Sequence, residues 1–135
     1  MLSFINRIRA GKSWVTSLSL ASNENYEEAY NTLINGLSLG LSGLEVELFK
    51  IFLCIATGRM VEANTNILKF ISDVSNTKEY NHDEVLYMRK YASWCSNFLP
   101  EGYESKRIVI INEDDTVKLN NVRKPILENF PLSNN

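Results

Sequence analysis

The side chains best suited to chemistry are few. One histidine, His82, stands beside Asp83 and Glu84, and two cysteines, Cys54 and Cys95, lie far apart in the chain. Neighbouring residues on a helix diverge by about 100°, so His82-Asp83-Glu84 does not converge on one substrate atom and reads as a charged helix start. Neither Cys-x-x-Cys nor His-Glu-x-x-His occurs, which leaves a metal ion without a ligand set. Gly36, Gly40 and Gly43 lack the Lys and Ser or Thr that close a phosphate loop, and read as helix ends and turns. With no Gly-x-Ser-x-Gly elbow either, the expectation is no catalytic residue, no metal, no cofactor and no enzyme.

Residues suited to recognition are easier to find. Tyr87, Tyr91 and Trp94 fall on one side of a helix at spacings of four and three, and Tyr and Trp bury much area with few rotors when they anchor an interface. The same stripe could instead cover an apolar neighbour. Glu113, Asp114 and Asp115, with Glu101 and Glu104 near in sequence, could present an acidic patch to a basic partner or form a solvated turn.

Charge is distributed unevenly. Residues 1–23 carry three basic and no acidic side chains, residues 24–100 six basic and ten acidic, and the remainder five basic and six acidic. A mildly acidic body argues against nucleic acid, since phosphate contacts draw on clustered Lys and Arg. It suits a basic protein partner. The longest apolar run, Ile51 to Ala56, is far short of the roughly 20 residues that cross a bilayer, and no membrane partner is expected. Each cysteine sits in an apolar helical pattern, where a thiol acts as a small hydrophobe. Without an export signal, the expected compartment is a reducing cytoplasm.

These side chains need a helical frame. Apolar residues recur at three and four through Tyr26, Ala29, Tyr30, Leu33, Ile34 and Leu37, which predicts a helix over 24–38, with Asn23 or Asn25 as N-cap. Glu45 to Thr57 is apolar on several sides and is expected at the centre. Met60 to Val74 and Asp83 to Phe98 supply two more helices, separated by a polar loop over 76–81 and stopped by Pro100 and Gly102. Trp14, Val15, Leu18 and Ala21 make a weaker stripe upstream. Phe4, Ile5 and Ile8 are expected to pack on the first hairpin as a short amphipathic helix. Beyond 103 the period shortens: Arg107–Ile111 and Thr116–Leu119 read as a β-hairpin turning at Glu113-Asp114-Asp115, followed by a short helix over Val122–Phe130. The length of 135 residues predicts one domain, a helical body over 1–98 joined to the C-terminal element over 103–135.

Tyr26-Glu27-Glu28-Ala29 is echoed by Met60-Val61-Glu62-Ala63, and the two alanines are 34 residues apart, a period of stacked helical hairpins. Asn25-Tyr26-Glu27-Glu28-Ala29 with Leu33, and Gly58 to Ala63 with Ile67, resemble the second helix of tetratricopeptide repeats. The first helices, through Trp14, Ser17, Leu18 and Ala21 and through Leu48, Ile51, Phe52 and Ile55, match only if each turn holds one extra residue. A third unit is half present, since Val85 and Leu86 keep step while His82 and Arg89 fall at inward positions. The resemblance covers about residues 12–98 and implies a concave face near Lys12, Val15, Ser19, Phe49, Leu53, Tyr87, Lys90 and Tyr91. An irregular orthogonal bundle is the alternative. The expected fold is mainly α, stacked antiparallel hairpins with a small C-terminal β-hairpin.

Such scaffolds hold other proteins. By type, the chain resembles small bacterial immunity proteins, which implies a basic toxin domain as partner. The alternatives are a tetratricopeptide-like adaptor or secretion chaperone that binds an extended peptide, and a small helical enzyme.

Overall fold

The computed structural model describes residues 2–108 and 110–111. Five helices follow in chain order: α1 (Leu2–Ser22), α2 (Tyr26–Ser38), α3 (Leu44–Ala56), α4 (Met60–Ser75) and α5 (His82–Ser96), with a 3₁₀ turn at Glu104–Arg107. α1 pairs with α2 and α3 with α4 as packed hairpins. α2 meets α3, and α5 rests on both α3 and α4. α3 is central as expected, with eight of its thirteen residues buried. Its Leu48, Phe49, Ile51 and Leu53, and Leu33, Ile67, Phe70, Met88 and Cys95 of the other helices, are sealed from solvent.

The 34-residue period is built into the turns. α2 begins at Tyr26 and α4 at Met60, one period apart. α1 ends with the Glu24 N–H donating to Ala21 O (3.0 Å) and the Asn25 N–H to Leu20 O (2.9 Å); α3 ends with Gly58 donating to Ile55 O (3.1 Å) and Arg59 to Cys54 O (2.7 Å). Both sets are the paired bonds of a Schellman cap, which needs a left-handed residue after the helix. That residue is Glu24 (φ 63°) in one turn and Gly58 (φ 79°) in the other. Side-chain capping is not how these helices start. Asn25 stands at the N-cap of α2 but makes no side-chain cap bond, and Asn23 Nδ2 donates back to Ser19 O. At α5 the charged helix start does hold, with Asn81 and Glu84 forming a reciprocal capping box.

The seam of the first hairpin is made of small residues. Among the described residues, Ala10, Ser13, Ser17 and Ala21 are the buried positions of α1, facing Ala29, Leu33 and Gly36 of α2. Ser17 Oγ donates to Ala29 O at 2.7 Å. Gly36, expected as a turn residue, lies inside α2. A Cβ there would come within 3.0 Å of Ser13 Cβ and 3.1 Å of Leu41 Cδ2, so the glycine sets how closely the two helices approach.

Two expectations need correction. Phe4, Ile5 and Ile8 belong to α1 itself and are exposed by 57, 40 and 46%, because α1 buries no side chain over residues 4–9. The β-hairpin is also not found: no strand occurs among the described residues. Arg107 closes the 3₁₀ turn, and residues 108, 110 and 111 are bends. A β-branched run needs a paired strand to become one, and among the described residues this run has none; the residues just before it are tied to the helical body instead. Ser105 N–H donates to Asn64 Oδ1 (2.9 Å) on α4, Lys106 Nζ donates to Leu99 O (2.7 Å), and Ile110 is buried in the helical core. Thr116–Leu119 and the helix expected over Val122–Phe130 lie outside the described residues.

Candidate functional site

The residues singled out for binding separate into three groups. Phe49 is core: it is fully buried, edge-on to Trp14 (centroids 5.5 Å apart) and stacked on Phe52 (6.2 Å). Leu53 is likewise sealed, and Tyr91 is buried. Lys12 and Lys90 are exposed, while Tyr87 and Trp94 are half-buried against the core. Glu113, Asp114 and Asp115 lie outside the described residues. The concave list inferred from repeat spacing therefore mixes surface with interior, because α3 has neighbours on more sides than a groove-lining helix can have.

An aromatic row leads from the core to the surface, from the buried Tyr91 through the half-buried Trp94 to the exposed Phe98. Tyr91 and Trp94 have ring centroids 6.2 Å apart, and Trp94 meets Phe98 edge-to-face at 4.9 Å. Phe98 is 51% exposed. It continues the stripe of Tyr87, Tyr91 and Trp94 by one further step of four, a spacing that could have flagged it in the sequence. α5 carries this row without a second helix to complete its hairpin among the described residues, since the 3₁₀ turn packs on α4. Glu101 and Glu104 follow, both exposed, with Lys106 Nζ 3.6 Å from Glu101 Oε1.

A second constellation, missed in the sequence, is a polar seam along the α3–α4 hairpin. From α4 it takes Glu62, Asn66, Lys69 and Asp73, at spacings of four, three and four. From α3 it takes Glu47, Lys50 and Cys54. Both spacings are legible as polar stripes on apolar helices. The Tyr30 hydroxyl donates to the Glu62 carboxylate (2.7 and 2.8 Å), and Lys50 Nζ stands 3.3 Å from Glu62 Oε2. Arg59 pairs with Glu27 and lies 3.8 Å above the Tyr30 ring. Lys69 Nζ bridges Asp73 (2.7 Å) and Glu47 (3.5 Å). A groove of about 250 Å³ opens beside the seam, lined in part by Leu37, Leu41, Val46, Glu47, Lys50, Asn66 and Lys69.

Protonation along this seam follows burial. Desolvation, then the adjoining Asp73 carboxyl, pushes Glu47 up to about 7 against the attraction of Lys69. Burial and the Glu62 charge push the Cys54 thiol up to about 12, and burial alone raises Cys95. Burial with the hydrogen bond to Glu62 raises Tyr30 to about 12. Glu47 alone of these could exchange a proton near neutrality, and it has two protonated thiols and a protonated phenol for company, none of them an activated nucleophile. Among the described residues no group of three His, Cys, Asp or Glu side chains is placed to hold a metal ion, and no helix is long and apolar enough to cross a membrane.

No protein-family model matches the chain, and neither a curated protein nor a solved structure does.

Proposed function

We propose that the protein binds another protein stoichiometrically and catalyses no reaction, and that within this class it is a bacterial immunity protein that covers a cognate secreted toxin domain in the cytoplasm. The observation that carries the reading is the pair of Trp94 on α5 and Phe98 in the turn just after it, at the end of the helix left without a hairpin partner among the described residues. In stacked hairpins each unit buries its apolar face on the next. The turns repeated at 34 residues, and the resemblance of α2 and α4 to tetratricopeptide second helices, support applying that rule here. An aromatic pair in this position offers a partner a large apolar anchor with few rotors to freeze.

The choice of a basic toxin rests on charge. Residues 24–100 carry four more acids than bases, and exposed Glu101 and Glu104 follow the aromatic row. Such a surface accelerates docking of a basic domain by electrostatic steering. The protonated, buried thiols favour a non-catalytic reading.

The test is affinity capture from the native cells followed by titration of the captured domain's activity. The expected result is one toxin domain, silenced at an equimolar ratio. Recovery of many unrelated extended peptides would instead support a chaperone, and turnover of a substrate by the isolated protein would sink both.

A further inference from the structure

α1 is built inside out. It buries Ala10, Ser13, Ser17 and Ala21 and exposes Phe4, Ile5, Ile8 and Val15, by 57, 40, 46 and 65%. The buried face is explained by the close approach at Gly36, which only small residues permit. The exposed face has no such account within the fold. One period before the buried Val46, Phe49 and Leu53 of α3 stand Lys12, Val15 and Ser19, all exposed. Two of those three are polar, as the closing face of a hairpin stack should be. The turns before Ala10 do the opposite and present Phe4, Ile5 and Ile8.

At 100° per residue Phe4, Ile8 and Val15 lie within about 40° of one another on the helix. Arg7 borders this stripe on one side and Lys12 on the other, each within about 60° of it, while Arg9 lies further round towards the buried Ser13. None of the three cations forms an ion pair among the described residues, and residues 1–23 contain no acid. An apolar stripe with a basic residue on each flank lets a helix lie in the plane of a lipid interface, its apolar side chains inserted and its cations raised to the headgroups.

We propose that the exposed face of α1 docks on an anionic phospholipid surface. A plane of diffuse negative charge meets cations on both flanks of the stripe at once, whereas a protein would need carboxylates on both rims of one apolar groove. A second copy is disfavoured by charge, since two such faces would bring their flanking cations together. Each basic residue close to an anionic bilayer contributes about fivefold in partitioning, and the inserted side chains add to it, so binding is reversible and weak at high salt.

Co-sedimentation of the full chain with phospholipid vesicles tests the proposal. Vesicles containing about 30% phosphatidylserine should bind it at least about tenfold better than pure phosphatidylcholine at low ionic strength, and about 0.5 M salt should abolish the difference. Ile8→Asp should lose binding with an unchanged melting temperature, because Ile8 is exposed. Arg7→Gln with Arg9→Gln and Lys12→Gln should lose the preference for anionic vesicles. Equal binding to both vesicle types overturns the proposal, as does undiminished binding by Ile8→Asp. Absence of binding to any vesicle also overturns it; that is the result expected if an acidic protein, or residues 112–135 of this chain, occupies the face.

Discussion

One period apart, on the second helix of each hairpin, stand Gly36 and Phe70. Both are buried, yet a Cβ at Gly36 already crowds Ser13 and Leu41, whereas Phe70 is sealed as one of the largest core side chains. The two hairpins turn through matching hydrogen bonds and match at Ala29 and Ala63, but they are filled by opposite means. In the first, small residues bring two helices close and no cavity is needed. In the second, Phe70 stands where the first has Gly36, and the helices exchange charges along one edge through Glu47, Lys50, Glu62 and Lys69. The repeated feature is thus the turn and not the interior. A turn is fixed by a few backbone bonds, while an interior must suit its neighbours, and only α3 and α4 also carry α5.

Swapping size across that pair should cost the most. Phe70→Ala is expected to destabilise by about 3–5 kcal/mol through the cavity it leaves, and Gly36→Leu by about 3 kcal/mol through overpacking against Ser13, both read from urea midpoints. If Gly36→Leu unfolds at the wild-type midpoint, the first seam is not close-packed and the contrast fails.

The shared turn gives a smaller, signed effect. Glu24 holds the left-handed position that Gly58 holds in the other hairpin, and a side chain there costs about 1–2 kcal/mol. Glu24→Gly should therefore stabilise by about 1 kcal/mol after glycine's own entropy is deducted, and Gly58→Glu should destabilise by a similar amount. Two changes of the same sign would break the equivalence of the turns.

The polar edge of the second hairpin should respond to pH. Glu47 rises from its ordinary 4.5 to about 7 in the folded chain, so the folded state holds its proton longer than the unfolded state does. Stability from this group is complete below pH 4.5 and declines as pH rises towards 7. Glu47→Gln escapes that decline. Relative to wild type it should be unchanged at pH 4 and gain about 1 kcal/mol at pH 8, less than the full shift implies because the side chain is 22% exposed. A gain that is equal at both pH values would remove ionisation as the cause.

The reach of the sequence follows the same contrast. Helices α2 to α5, the centrality of α3 and the period were legible because apolar spacing and turn residues are local signals. The inward face of α1 was not, since hydrophobicity alone points Phe4 and Ile8 inwards, and only the approach distance at Gly36 explains why Ser13 and Ser17 take their place. Repeat spacing places Phe49 on the concave face, yet it is core, because spacing cannot report how many neighbours a helix has. The run Arg107–Ile111 carries strand composition, yet the described helices offer its backbone no strand to pair with. Trp94 and Phe98 share a spacing that was visible, but Glu47 and Lys50 were hidden in the most apolar segment of the chain.

Partner binding is proposed to depend on the aromatic pair at and just beyond the end of α5, and Phe98→Asp tests it most directly. Phe98 is half exposed, so the charge should leave the fold intact, with melting within a degree or two of wild type. Side-by-side capture from the native cells should then recover one stoichiometric partner with wild type and little or none with Phe98→Asp. Recovery of the same partner in equal amount by the well-folded variant would contradict the account.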